Sequence, residues 1–106
     1  MTRIQQPPPI TEAMFQVQVI EYAKLRGWRV AHFRPAMNRR GVWATPIQGD
    51  PGFPDLVMAR DGAVIVAELK SEKGKETAMQ ASWRQALVGS YLWRPSDWDE
   101  IEDLLR

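Results

Sequence analysis

The sequence contains no cysteine and a single histidine, His32. Disulfides, thiolate metal centres and zinc fingers are thereby excluded, and a Ser-His-Asp machine has almost nothing to work with. Any metal bound here must be held by oxygen. Long apolar runs are also missing. The longest, Ala63 to Ala67, falls far short of the ~20 residues of a membrane-spanning helix. The N-terminus reads Met-Thr-Arg-Ile-Gln-Gln-Pro-Pro-Pro, without the apolar core of a secretory signal, so a cytoplasmic location is expected. What remains is ordinary: 44% apolar and 25% charged residues in a chain of 106. One domain is expected over residues 11–106, behind an extended leader at residues 1–10 that contains Pro7-Pro8-Pro9.

Net charge is nearly absent, at +1, but it is unevenly distributed. Residues 1–94 hold thirteen Lys/Arg against eight Asp/Glu, whereas residues 95–106 hold one Arg against five acids. A basic body with an acidic final helix follows, and the body suits a polyanionic partner. Its densest basic stretch is Lys24, Arg26, Arg29, Arg34, Arg39 and Arg40, with Trp28, Phe33 and Trp43 interleaved. That composition serves phosphate contacts and base stacking. The candidate DNA contacts are Arg34, Arg39, Arg40 and Trp43, together with Lys73 and Lys75 of a later charged turn. A solvated basic face over core aromatics is the competing reading.

The pattern along the chain predicts a helix capped by Thr11 and running to about Arg26, with Gly27 behind it. Residues 28–33 read as a strand, and 34–52, rich in Pro, Gly and Asn, as a long loop. Residues 54–60 and 63–70 read as strands joined by Asp61-Gly62, the strongest short hairpin signal. A helix is predicted over 76–88, with Met79, Trp83, Ala86 and Leu87 on one core-facing stripe. Residues 90–93 form a short strand. Ser96 then caps a last helix that buries Trp98, Ile101 and Leu105. The order is helix, three strands, helix, strand, helix.

The hairpin turns this order into geometry. A two-residue turn pairs Arg60 with Ala63 and every later pair by the same sum, which sets Asp55 opposite Glu68. Carboxylates so placed have Cβ atoms about 4.5–5.5 Å apart, and their repulsion destabilises a sheet unless something offsets it. A divalent cation does so, since oxygen ligands at roughly 2.1 Å can come from both side chains. Lys70, two residues after Glu68, shares its face about 6.6 Å further along the strand. In phosphodiester hydrolysis a metal held by such carboxylates polarises the phosphate, and a lysine positions water or neutralises developing charge. An exposed Glu-Lys pair at a strand end is the plainer alternative.

These residues resemble a known family. Gly52-Phe53-Pro54-Asp55-Leu56, then Glu68-Leu69-Lys70, then Gln80 and Trp83 on the following helix, resemble the PD-(D/E)xK signature in its virus-type replication-repair (VRR-NUC) form. The likeness spans about residue 11 to the C-terminus. It implies a restriction-endonuclease-like αβββαβ core with a mixed sheet and a C-terminal helix. It implies Mg2+ or Mn2+ bound by Asp55, Glu68 and the Leu69 carbonyl, with Lys70 catalytic. It also implies an acidic residue of the first helix and a glutamine of the later helix near the metal, here Glu12 and Gln80. Short stand-alone members are typically encoded by phages. The resemblance implies a homodimer that cuts branched DNA, as Holliday-junction-resolving enzymes do.

Several residues have plainer readings. Glu12 is also placed to complement the helix dipole, and Gln80 to be a surface glutamine. His32 reads as structural, Asp50 as turn chemistry in Asp50-Pro51-Gly52, and Trp83 and Trp98 as core. Two other functions stay open: a binding module that keeps the fold without catalysis, and an assembly protein whose carboxylates merely staple a turn.

Overall fold

The computed structural model describes residues 9–33, 36–37, 39–44 and 47–106. Most of the expected leader, and the candidate DNA contact Arg34, lie outside the described residues. Helix α1 (Glu12–Leu25) starts where Thr11 accepts a hydrogen bond from the Met14 amide. It leads into β1 (Arg29–His32). Within the segment expected to be an unbroken loop, two short strands pair antiparallel: β2 (Ala36–Met37) and β3 (Trp43–Ala44). A pairing of two residues on each strand is too short to leave a periodic signal. Strands β4 (Leu56–Arg60) and β5 (Ala63–Leu69) follow, then α2 (Ala78–Ala86), β6 (Tyr91–Trp93) and α3 (Trp98–Leu105).

The main sheet has the order β1-β4-β5-β6 and is mixed: β1, β4 and β5 are antiparallel, and β6 joins β5 in parallel. Asp61 and Gly62 both have positive φ, at 50° and 83°, the geometry of a two-residue turn that matches strand twist. The register it dictates runs from Arg60↔Ala63 to Leu56↔Ala67. Alternation then sends Leu56, Met58, Ile65, Ala67 and Leu69 to one face, where they are buried with Phe15, Val19 and Ala23 of α1 and Ile101 and Leu105 of α3. Val57, Val66 and Glu68 point to the other face, which α2 reaches through Gln80 at Glu68.

One corner is tied by Arg60. Its guanidinium stacks 4.4 Å from the centre of the Trp28 ring and donates to the carbonyls of Arg26, Leu105 and Arg106. Trp28 adds a bond from its indole N–H to the Leu105 carbonyl at 2.9 Å. The ends of α1 and α3 are thus fastened to the hairpin. Among the described residues, no helix is long and apolar enough to cross a membrane.

Three predicted details are corrected. Helix α2 begins at Ala78, not 76, because Thr77 and Gln80 form a capping box that fixes the start. Its expected core stripe is not buried: Met79 is 53% exposed and Ala86 is exposed. Ser96 does not cap α3. A 3-10 turn (Pro95–Asp97) intervenes, the Ser96 amide donates to Glu72, and Asp97 reaches back to the Arg94 amide.

Gly52 sets the approach of the chain to β4. It has φ +97°, and a Cβ there would stand 2.7 Å from the Met79 backbone carbon of α2. Both the backbone region and the contact exclude a side chain. Gly52→Ala should therefore lower stability by on the order of 2 kcal/mol or more. The measurement is the urea midpoint, read with an unchanged m-value. A midpoint equal to wild type would mean that the segment before Asp55 can shift freely.

Candidate active site

The Asp55–Glu68 pair forms by a different route from the one the register alone gives. Strand β4 begins at Leu56, so Asp55 lies one residue beyond the last ladder pair. Its carbonyl accepts from the Phe33 amide at 2.9 Å, which holds the backbone beside β1. Its side chain turns toward β5, where Oδ2 accepts from the Leu69 amide at 2.8 Å. Glu68 pairs in the other direction, with Leu92 of β6. The Asp55 carboxyl nevertheless lies near enough to Glu68 to act on it.

Glu68 is 1% exposed, the one buried charged residue among those described. Its Oε1 accepts from the Gln80 amide nitrogen at 3.3 Å, and its buried Oε2 has no partner among the described residues. Burial therefore pushes the Glu68 carboxyl up to about 9, the neighbouring Asp55 adds to the shift, and Lys70 opposes it.

The remaining predicted residues fall into two groups. Lys70 follows the end of β5, half-buried, its amide bonded to the Trp93 carbonyl at 3.0 Å. Its charge acts on Glu68, on Glu12 and on Glu76. The Glu12 carboxyl is held above its ordinary value, first by desolvation and then by Asp55, so the start of α1 belongs to the same electrostatic cluster. Gln80 joins from α2. Its Oε1 accepts from the Thr77 amide at 2.9 Å, so its amino group is the part that reaches Glu68. Leu69 is buried, with its amide given to Asp55. By contrast Arg39, Arg40, Trp43, Lys73 and Lys75 are exposed and form no part of the carboxylate cluster. Among the described residues there is no group of three or more His, Cys, Asp or Glu able to hold a metal. The oxygens on offer are those of the Asp55–Glu68 pair and the neighbouring main chain.

Sequence reasoning missed the residues that hold this cluster in shape. Arg94 donates to the carbonyls of Ser71, Glu72 and Gly74, pinning the turn that follows Lys70. Glu76 and Arg84 close the same region with a two-pronged ion pair, Arg84 Nη2 to Oε1 at 2.8 Å. Arg84 holds the Glu76 carboxyl below its ordinary range. Arg94 carries no local motif; only the parallel register of β6 on β5 brings it to that turn. Thr77-Ala78-Met79-Gln80, in contrast, is a readable capping-box signature. Comparison with known proteins finds no matching family model, no matching characterised protein and no matching solved structure.

The raised Glu68 value has a defined consequence for stability. The native state keeps a proton that the unfolded chain releases above its ordinary value of 4.5, so unfolding becomes easier as pH rises. Thermal unfolding in chelator should show Tm falling between about pH 5 and pH 9, with the fall ending once the native carboxyl ionises near 9. Glu68→Gln, which keeps the neutral shape, should flatten that slope. The same slope in both proteins would assign it to another group.

Proposed function

We propose that this chain is a metal-dependent nuclease of the PD-(D/E)xK type that hydrolyses phosphodiester bonds in DNA. The observation that carries the reading is the buried Glu68, whose Oε2 has no hydrogen-bond partner among the described residues and whose carboxyl feels both Asp55 and Lys70. Leaving such a group buried is costly unless it is protonated or bound to a cation. The donor set fits a hard divalent ion: two carboxylates plus main-chain oxygen, with Asp55, Glu68 and the Leu69 carbonyl as its holders. Bound there, Mg2+ or Mn2+ would supply charge neutralisation and Lewis-acid activation at the scissile phosphate.

The chain's own groups have separate work. Asp55 is anchored by the Leu69 amide, so its second oxygen stays aimed at the site. Glu68 is held by Gln80, whose carbonyl is already committed to Thr77, and this fixes the carboxylate plane. Lys70 offsets the negative charge of Glu12, Asp55 and Glu68, and in the reaction it neutralises charge developing on the phosphate. Gln80 and Glu12 position these groups. Exposed Arg39, Arg40, Lys73 and Lys75 supply phosphate contacts, with Trp43 as a stacking surface. Selectivity for branched DNA, a homodimer and phage origin carry over from the resemblance as part of the same proposal.

A second reading has one observation in its favour. Sharing a proton satisfies the Asp55–Glu68 pair without metal, which would make it a structural fastener. Thermal melts separate the two. Mg2+ or Mn2+ should raise Tm in wild type and not in Asp55→Ala, since an ion that binds only the native state stabilises it. Labelled four-way junction, flap and linear duplex should be cut with Mg2+ or Mn2+. Glu68→Ala and Lys70→Ala should each lower the rate by on the order of a hundredfold or more. Variants that cut as well as wild type would remove these residues from the site.

A further inference from the structure

Between α2 and the segment before β4 lies a cavity of about 340 Å3, lined by Asp50, Pro51, Met79, Ser82, Trp83 and Ala86. Its volume is at the small end of ligand sites, the scale of one heterocycle. One wall is aromatic and fixed. The Trp83 indole N–H donates to the Asp50 carbonyl at 3.1 Å, and its ring meets Phe53 edge-on with centroids 5.1 Å apart. Phe53 in turn meets Phe33 at 5.4 Å. Trp83 therefore cannot swing away, and a ring stacked on it loses little freedom to gain the contact. Met79 and Ala86 supply further apolar wall, while Asp50 and Ser82 bring acceptor and hydroxyl chemistry suited to the N–H edge of a base.

Position connects this cavity to the cluster. Met79 and Trp83 flank Gln80 on α2, and Gln80 touches Glu68. Met79 directly precedes Gln80 and Trp83 follows it by three residues, about 4.5 Å along the helix axis. The carboxylate pair and the cavity are thus served by the same stretch of α2, Gln80 toward one and Met79 and Trp83 toward the other. A base paired in a duplex is stacked and cannot enter such a pocket without being extruded.

We propose that this cavity binds a single unpaired nucleobase next to the scissile phosphate, so that an unpaired nucleotide is what selects the substrate. The inference rests on the nuclease reading for the word scissile, and on the cavity alone for the base. A path past Met79 and Trp83 also accounts for an exposed apolar stripe on α2 that the core does not use.

The test uses 2-aminopurine, a fluorescent base that is quenched by stacking. It is placed either at the unpaired position of a flap or inside a fully paired duplex, and is measured in chelator so that no strand is cut. Wild type should quench the unpaired probe and not the paired one. Ala86→Leu, which fills the cavity from an exposed helical position, should abolish the quench and weaken flap binding about tenfold or more. Trp83→Phe, which keeps a ring without the indole N–H, should retain part of it. Circular dichroism checks that both variants fold. Unchanged quenching in Ala86→Leu, or no quenching by wild type, would overturn the proposal. Cavity-dependent quenching with no cleavage under Mg2+ or Mn2+ would uphold the base site and remove the nuclease reading. Equal cleavage of paired and unpaired substrates by wild type and Ala86→Leu would do the reverse.

Discussion

The Asp61-Gly62 turn is the constraint on which the rest depends. Two residues with positive φ leave one register for β4 and β5, and register fixes parity. A slip of one position would send Glu68 into the apolar layer of Phe15, Leu56 and Ile101 and would expose Ala67 and Leu69. With parity fixed, one side of the sheet becomes a core shared with α1 and α3. The other side is left to carry charge under α2.

Burying Glu68 works against stability, and the surrounding architecture is arranged around that fact. Asp55 adds to the upward shift of the Glu68 carboxyl, and its own Oδ2 is already satisfied by the Leu69 amide. Gln80 provides one neutral donor, and Lys70 provides charge from the strand end. The unrelieved part remains as a raised affinity of Glu68 for a proton. A site of this kind is stored cost at a rigid place, which agrees with the supports that keep it rigid: Arg94 on the 71–74 turn, Glu76 with Arg84, and Gly52 against Met79.

How much of this was legible in the sequence depended on the range of the signal. Thr11, Gly27 and Asp61-Gly62 announce local geometry through their own backbone and side-chain chemistry, and the elements they bound lie where expected. The mixed sheet with a C-terminal helix was an implication of the family resemblance, and the structure has both. Asp55 and Glu68 could be brought near each other by counting, but their contact is made by a side chain beyond the ladder, which counting does not see. Glu12 required the tertiary placement of α1. Helix α2 misled because its periodicity is real while its apolar stripe faces an open cavity, and periodicity cannot distinguish a core from a vacant groove. The β2–β3 pair, two residues on each strand, is too short to have a period. Arg94 acts through three carbonyls distant in sequence and is invisible to any pattern.

The capping box of α2 has a further meaning. Gln80 closes the helix start with its carbonyl and grips Glu68 with its amino group, so one planar amide is shared between a structural joint and a charged site. Turning that amide to release Glu68 would also withdraw its oxygen from the Thr77 amide, so the carboxylate and the first turn of the helix that bears Met79 and Trp83 hang on one side chain.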